Sequence, residues 1–479
     1  MGDLLHMTVT HFVTDPVETF GLFGTERGGG WILGSRVSSA RVGALLETGL
    51  PVSVLPDDVS RGTARVTEIT PYTRIVLEHE SPWSGTTVLS FSPHGSGTRV
   101  RTTSTLTGEA IGWINQQLDM PSEDEGADDD VVVGLITDLS GQTSVFGRSI
   151  VNCARLAVAE INEDGGIAGR TLRLAHVDDS TDPDKAQSAL AYLTQEHNVA
   201  AIVGAHTSRT LEALAPRLLR DHQLYLFAPV NEGGVRQGNI FRLGESSADQ
   251  LRATLPRLGD SLGARSWYLL GNDYSWPRKI NSVARGILSA RGWRVAGERY
   301  LAMGRLQGVD DLLTDIERSG ADVVLSSLVG YASIEFERAF AAAGLRDRIA
   351  TFSALLDENT VEHLGSAGDG IWSAMSYFNE LDSTANRSFV ERYRRGFGAL
   401  SAPPSALSVS VYESLHLWAR AARRSEDLHA DAVAAQLHGL AFDGPRGTIR
   451  VRADGTAGFD YYLAQADAQS LRVAESFGR

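Results

Sequence analysis

A two-lobed α/β architecture behind a small α+β unit is the fold class this 479-residue chain predicts. Three observations predict it. The length exceeds what one ordinary core supports, so two or three domains are expected. An acidic stretch free of basic residues, Asp119 to Asp130 (DMPSEDEGADDD), divides the chain. Behind it, apolar strand runs alternate with helical stretches, the pattern of parallel α/β layers.

Residues 1–118 read as the α+β unit. Asp15-Pro16 is a helix start, with proline inside the first turn and Val17, Phe20 and Phe23 at helical spacing. Four runs have strand character: 64–69, 73–78, 86–91 and 98–103. The last two flank Pro93-His94-Gly95-Ser96-Gly97, a hairpin signal. A short helix, Gly108 to Leu118, closes the unit.

Residues 131–479 carry two successive α/β sets. The first has strands 131–137, 171–177, 200–203, 225–228 and 240–243, separated by helices such as 147–163, 182–196 and 210–221. The second has strands 267–270, 293–300, 323–326, 350–353 and 371–375. Helices around 388–398, 405–423 and 430–438 follow, then strands 447–452 and 461–465 after the breaker Asp443-Gly444-Pro445-Arg446-Gly447. The lobes are expected at about 131–248 plus 378–440, and about 249–377 plus 441–479. A ligand belongs between them, at strand mouths where loops feed helices.

Composition is that of a soluble globular protein, and a net charge of -15 argues against a phosphate-backbone partner. Arg394-Arg395 and Arg423-Arg424 read as solvated helix faces. Cys153 is the sole cysteine, on an apolar helix face, and reads as a buried structural thiol. The first twenty residues lack a basic start, a continuous apolar core and a small-residue cleavage site. No lipobox cysteine is present, His6 breaks the myristoylation pattern, and no apolar run approaches bilayer length. A cytoplasmic location is the expectation.

Four segments carry a resemblance: Gly271-Asn272-Asp273-Tyr274-Ser275-Trp276-Pro277-Arg278, Leu325 to Gly330 (LSSLVG), Glu232-Gly233-Gly234 through Gly238-Asn239-Ile240, and Gly444-Pro445-Arg446-Gly447. In order and spacing they resemble the type I periplasmic binding proteins, two Rossmann-like lobes with a hinge. Within them they look most like the amide- and urea-binding branch, which includes the amide-sensing regulator of aliphatic amidase expression and amide or urea transporter receptors. The N-terminal unit resembles the polyketide-cyclase/START-like superfamily, on Asp15-Pro16-Val17, the run Ala64 to Glu80 and the hairpin exit Gly97-Thr98-Arg99-Val100.

The resemblance implies a site. The loop Gly204-Ala205-His206-Thr207-Ser208-Arg209 offers backbone N–H groups at a helix start, with Ser208 either touching ligand or only capping its helix. His206 is a pH-sensitive donor to ligand or an ordinary solvated histidine. Where the amide regulator has tyrosine, threonine and tyrosine, this chain has Phe227, Pro229 and Asn231, which changes the hydrogen-bond demand on the ligand. Tyr274 matches a tyrosine folded over the ligand, and Trp276 is a second lid aromatic or packs under Pro277. Tyr331 and Tyr377 are fringe candidates, and Ala354 and Leu355 make the cleft more apolar. The candidate ligand set is Ser208, Tyr274, Thr207, His206, Trp276, Pro229, Phe227 and Tyr331.

No catalytic constellation holds: there is no G-x-S-x-G elbow, P-loop, paired helix histidine or Cys-x-x-Cys. Gly28-Gly29-Gly30-Trp31 lacks the lysine ending of a phosphate cradle. Asp178-Asp179 and Asp310-Asp311 read as solvated acids, and His176, His206 and His222 are too scattered for zinc. The expected function is therefore non-enzymatic, without cofactor or metal: a sensor that closes on an amide, urea or amino-acid-like solute. By the resemblance it would signal to a regulatory partner such as an antitermination protein. The alternative is the substrate-binding component of a transporter, docking on its permease. A third reading makes the N-terminal unit a small cyclase, hydrolase or lipid binder.

Overall fold

The computed structural model describes residues 5–13, 36–37, 41–48, 62–81, 84–94, 97–106, 130–233, 238–304, 306–397, 401–467 and 470–478. They form two compact units: Met1–Glu123 with Glu391–Pro403, and Asp124–Val390 with Pro404–Arg479. The boundary after Glu123 falls inside the acidic stretch.

The first unit is a seven-stranded antiparallel sheet. Its strands are β1 (Leu5–Val13), β2 (Arg36–Val37), β3 (Leu45–Thr48), β4 (Gly62–Thr70), β5 (Arg74–Ser81), β6 (Gly85–His94) and β7 (Gly97–Leu106), in the order β1-β7-β6-β5-β4-β3-β2. Alternation fixes the inner face: Ala64, Val66, Ile75, Leu77, Leu89 and Phe91 are buried while Arg65 and Glu78 are exposed. His79 sits on that face, Nε2 at 2.8 Å from Thr87 Oγ1, and burial lowers its pKa to about 4. The four predicted strand runs correspond to β4–β7. The predicted helices after Asp15-Pro16 and at 108–118 lie outside the described residues.

The second unit holds two large sheets with one winding and a small third sheet. β8 (Val131–Thr137), β9 (Leu172–Asp178), β10 (Ala201–Ala205), β11 (Tyr225–Phe227) and β12 (Ile240–Arg242) pair in parallel in the order β9-β8-β10-β11-β12. β13 (Ser266–Asn272), β14 (Arg294–Leu301), β15 (Val323–Ser327), β16 (Ala350–Ser353) and β17 (Trp372–Met375) repeat it as β14-β13-β15-β16-β17. Each order reverses beside its first strand, which places a crevice at the carboxyl ends of β8 and β10 and of β13 and β15. All seven residues of β8 and of β13 are buried, as parallel strands covered on both faces must be.

Helices cover the sheets. α1 (Gly147–Glu163), α2 (Pro183–Gln195) and α3 (Ser208–Arg220) belong to the first lobe; α4 (Ser247–Ser261), α5 (Ser275–Ala290), α6 (Val309–Ser319), α7 (Gly330–Ala342) and α8 (Glu358–Leu364) to the second. After α9 (Thr384–Phe397), α10 (Ala406–Arg424) packs on α1, followed by α11 (Ala430–Leu437). A Cβ on Gly147 would stand 2.3 Å from the Asp138 carbonyl, so the turn from β8 into α1 requires glycine.

Three segments cross between the lobes: 243–246 from β12 to α4, 376–383 from β17 to α9, and the return at the end of a small sheet. That sheet, β18 (Ala441–Gly444), β19 (Gly447–Val451) and β20 (Ala457–Gly458), lies beside the first lobe, where Arg242 N donates to Gly455 O at 2.9 Å. The chain re-enters the second lobe only with β21 (Tyr461–Asp467), antiparallel to β17, and β22 (Ser470–Phe477). The expected lobe boundary at 441 is therefore about twenty residues early. The strand periodicity also leaves β1 and β22 unmarked.

Candidate functional site

Between the two crevices lies a cavity of about 50 Å³ lined from both lobes. That is a third of the roughly 150 Å³ that holds benzene in an engineered core cavity.

The first lobe supplies the polar edge. β10 ends at Ala205, and the chain turns through His206 and Thr207 into α3. Thr207 is the N-cap, its side chain accepting from Thr210 N at 3.3 Å, so capping falls to Thr207 and not to Ser208. Ser208, the first helical residue, is 5% exposed, and its buried Oγ has no partner apart from the neighbouring Glu232 carboxyl. It lines the cavity at the positive end of a 13-residue helix.

Glu232 lies beside it. Burial raises its pKa, and the nearby Ser208 hydroxyl and Arg242 oppose that rise, but Glu232 Oε1 is buried without a hydrogen-bond partner. Burial, then the Glu232 charge, push the Tyr274 phenol up in turn. Ser208 and Tyr274 line the cavity, and the Glu232 carboxyl lies near both, outside the lining.

His206 takes neither expected role. It is buried, Nδ1 lies 3.0 Å from the Thr207 carbonyl and Nε2 meets the Tyr225 hydroxyl. A carbonyl only accepts, so Nδ1 carries the proton and Nε2 accepts from Tyr225. Burial lowers the pKa to about 4, leaving a neutral ring as cavity wall. Phe227 is a correction: it is fully buried in the first-lobe core with its ring 5.6 Å from that of His206, which it backs from outside the lining. Strand residues of a parallel sheet point alternately to either layer, and 227 points to the helix layer rather than the cleft.

Pro229 and Val230, from the loop after β11, also line the cavity. Asn231 is spent on structure: Nδ2 donates to Gly244 O at 3.0 Å, its N donates to Glu245 O at 2.8 Å, and its carbonyl accepts from Ser247 N at 3.0 Å. The site loop is therefore stitched to the first crossover.

The second lobe supplies the apolar edge. Tyr274 caps the start of α5, and Trp276 stands in its first turn, the two rings 6.5 Å apart and nearly parallel. Trp276 Nε1 donates to Ser247 Oγ at 2.7 Å, so its indole is a pinned wall rather than a free flap. Val329 and Leu355 complete this side. Tyr331 is a second correction: it is 40% exposed, outside the lining, and holds an edge-to-face contact with His363. Tyr377 is buried outside the lining.

The motif reading missed Thr143, Phe146, Ile150 and Leu407. The first three come from the loop after β8 and the first turns of α1; the mouth of the first strand was the available signal. Leu407 enters from α10, and nothing local marks it.

Beneath Thr143, carboxylate oxygens of Asp138, Asp178 and Asp179 lie within 4.8 Å of one another. Asp138 accepts from Ser140 N, Gly141 N, Thr143 N and Thr143 Oγ1, and Asp178 from Leu139 N, Ser180 N and Ser140 Oγ. These two are satisfied loop anchors. Burial, then the Asp138 charge, push Asp179 up to about 7.

With this geometry, sequence comparison becomes decisive: the model of a family described as periplasmic binding protein matches residues 130–470. The chain belongs to the periplasmic binding protein family. A Leu/Ile/Val-binding protein of Rhizobium johnstonii is 35% identical over 79 residues, 16% of this chain and 21% of its own. An amino acid binding protein of Pseudomonas aeruginosa is 24% identical over 201 residues, 41% and 53% of the two chains. The matched stretches thus span about a fifth and about half of these relatives. A leucine binding protein from Thermotoga maritima superposes with TM-score 0.65 at 19% identity, covering 73% of this chain and 99% of its own. A solute binding protein from Rhodopseudomonas palustris in complex with p-hydroxybenzoic acid gives 0.65 at 20%, covering 73% and 97%. At these identities the structures establish the periplasmic binding protein fold.

Proposed function

We propose that this periplasmic binding protein is the non-enzymatic receptor of a transporter and closes on an apolar α-amino acid such as leucine. One observation carries the reading. Ser208 Oγ and Glu232 Oε1 are buried side by side at the start of α3 with no partner beyond each other, and Ser208 lines the cavity next to an apolar wall. A helix start with a buried hydroxyl suits a carboxylate, and the acid beside it suits the adjacent ammonium of the same ligand. Phe146, Ile150, Val230 and Leu355 offer the side chain an apolar bed. The relatives named for leucine and amino acids support the class. Urea and acetamide, which the amide-branch resemblance implied, carry no charge for either group.

Calorimetry of the full chain against L-leucine, L-valine, 4-hydroxybenzoate, acetamide and urea tests this. Tightest binding to an amino acid is expected, and tightest binding to an amide would restore the amide branch. A second reading, ligand-dependent regulation in the cytoplasm through a partner such as an antitermination protein, is favoured by the folded seven-stranded unit joined to the receptor. That unit's antiparallel order also supports the START-like assignment. Cell fractionation of the native protein separates the two: recovery outside the cytoplasmic membrane supports the receptor, and recovery in the cytosol supports regulation.

A further inference from the structure

One side chain touches all three crossovers. Arg446, in the Gly444-Pro445-Arg446-Gly447 turn between β18 and β19, is inside the protein with its side chain 1% exposed. Its Nη1 donates to Ser376 Oγ on the second crossover at 2.6 Å. Ser376 in turn donates from Oγ (2.6 Å) and from N (3.0 Å) to Glu245 Oε1 on the first crossover. The guanidinium lies 4.3 Å from the Phe459 ring, on the third. On the first-lobe side Nε donates to Glu413 Oε2 at 2.8 Å and Nη2 to Ser410 Oγ at 2.8 Å, both residues on α10. A Cβ at Gly444 would stand 2.3 Å from Glu413 Oε1, so glycine there admits the carboxyl.

The charges do not balance. Two carboxyls share one guanidinium, Nη1 to Glu245 Oε1 at 3.5 Å and Nη2 to Glu413 Oε2 at 2.5 Å, and Glu245 Oε2 and Glu413 Oε1 have no hydrogen-bond partner. An uncompensated buried charge is costly, and a shared proton removes it. Lobe opening requires the crossovers carrying Glu245, Ser376 and Phe459 to reorient against α10, which either lengthens these contacts or admits water.

We propose that Arg446 is the positioning residue of the hinge, and that the Glu245–Arg446–Glu413 cluster takes up a proton when the lobes close. This rests on the receptor reading only in taking lobe closure as the functional motion. Burial, opposed by Arg446, pushes Glu413 up to about 7 and raises Glu245. A carboxyl whose pKa is raised in the closed state favours closure fully below the usual carboxylate range. That advantage is lost as pH climbs to about 7. The other titratable groups facing the cluster are Cys153, pushed up to about 12 by burial, and Tyr461, also raised by burial, so both stay neutral in this window. His416, one turn along α10 from Glu413, faces Glu160 at 3.3 Å instead.

The test uses the full chain with a donor–acceptor dye pair on Tyr192→Cys in the first lobe and Leu262→Cys in the second, both exposed positions; the buried Cys153 escapes labelling. Without ligand, the closed-to-open ratio is expected to fall by up to about tenfold per pH unit between pH 5 and 7 and to level off above. Glu413→Gln should abolish the slope, Ser376→Ala should reduce it, and His416→Gln should keep it. A flat wild-type profile, a slope that survives Glu413→Gln, or one lost in His416→Gln overturns the proposal. Adding L-leucine separates the two ideas. Leucine-driven closure with no pH slope sinks the hinge and leaves the ligand reading standing. A pH slope with no leucine response supports the hinge and removes leucine as ligand.

Discussion

The two lips of the cleft are built from the same strand order yet carry different chemistry. The first-lobe lip presents a helix start and Ser208, with the Glu232 carboxyl beside it and no other partner for either. The second-lobe lip presents Tyr274, Trp276, Val329 and Leu355, with the Trp276 N–H already consumed by Ser247. Unpaired buried polar groups cost about 1–3 kcal/mol each, so they indicate where a ligand's charged groups belong. The apolar lip indicates what covers them. On the proposed reading, the first lobe would select the ligand and the second would exclude water, so that closure would depend on ligand touching both.

The largest expected effect breaks the first lip. Ser208→Asp sets a fixed carboxylate where the ligand's would lie, and like charges in contact cost several kcal/mol, so leucine affinity should fall more than about 100-fold by calorimetry. Phe227→Ala asks whether 227 belongs to the lip at all. It should lower stability by about 3–5 kcal/mol in denaturant unfolding while the folded protein keeps its affinity within about threefold. Trp276→Ala opens the second lip and should weaken binding by about 2 kcal/mol or more, mainly through faster ligand release in stopped-flow.

Subtler is Asp179→Asn, below the first lip. Because burial raises that carboxyl to about 7, the wild type loses stability relative to the variant as pH rises from the usual carboxylate range to about 7. Melting temperatures should therefore agree near pH 4 and diverge in the variant's favour by pH 8. Smallest is Tyr331→Ala, which should change affinity and stability by less than about 0.5 kcal/mol, since the ring is surface-exposed and off the lining.

What the sequence could show follows from the same contrast. Parallel strands buried on both faces are continuous apolar runs, so β8, β10, β13 and β15 were legible, and with them both crevices. Ser208, Thr207, Pro229, Tyr274 and Trp276 follow strand ends, and that position brings them together on the cavity wall. Phe227 falls in the core because even the last residue of a strand belongs to the layer its pleat dictates. Leu407 and the Arg446 cluster were invisible because their neighbours lie far off in the chain, as Arg446 and Glu245 do. Packing, not local pattern, assembles them.

The claim that one lip reads both charged groups of an amino acid is tested most directly by comparing L-leucine with 4-methylpentanoate, which lacks only the ammonium. Calorimetry on the full chain and on Glu232→Gln at pH 7 makes the comparison. The account predicts at least about 30-fold tighter binding of leucine by the wild type, with the margin erased in Glu232→Gln. Equal wild-type affinity for the two ligands, or a margin unchanged in Glu232→Gln, would contradict it.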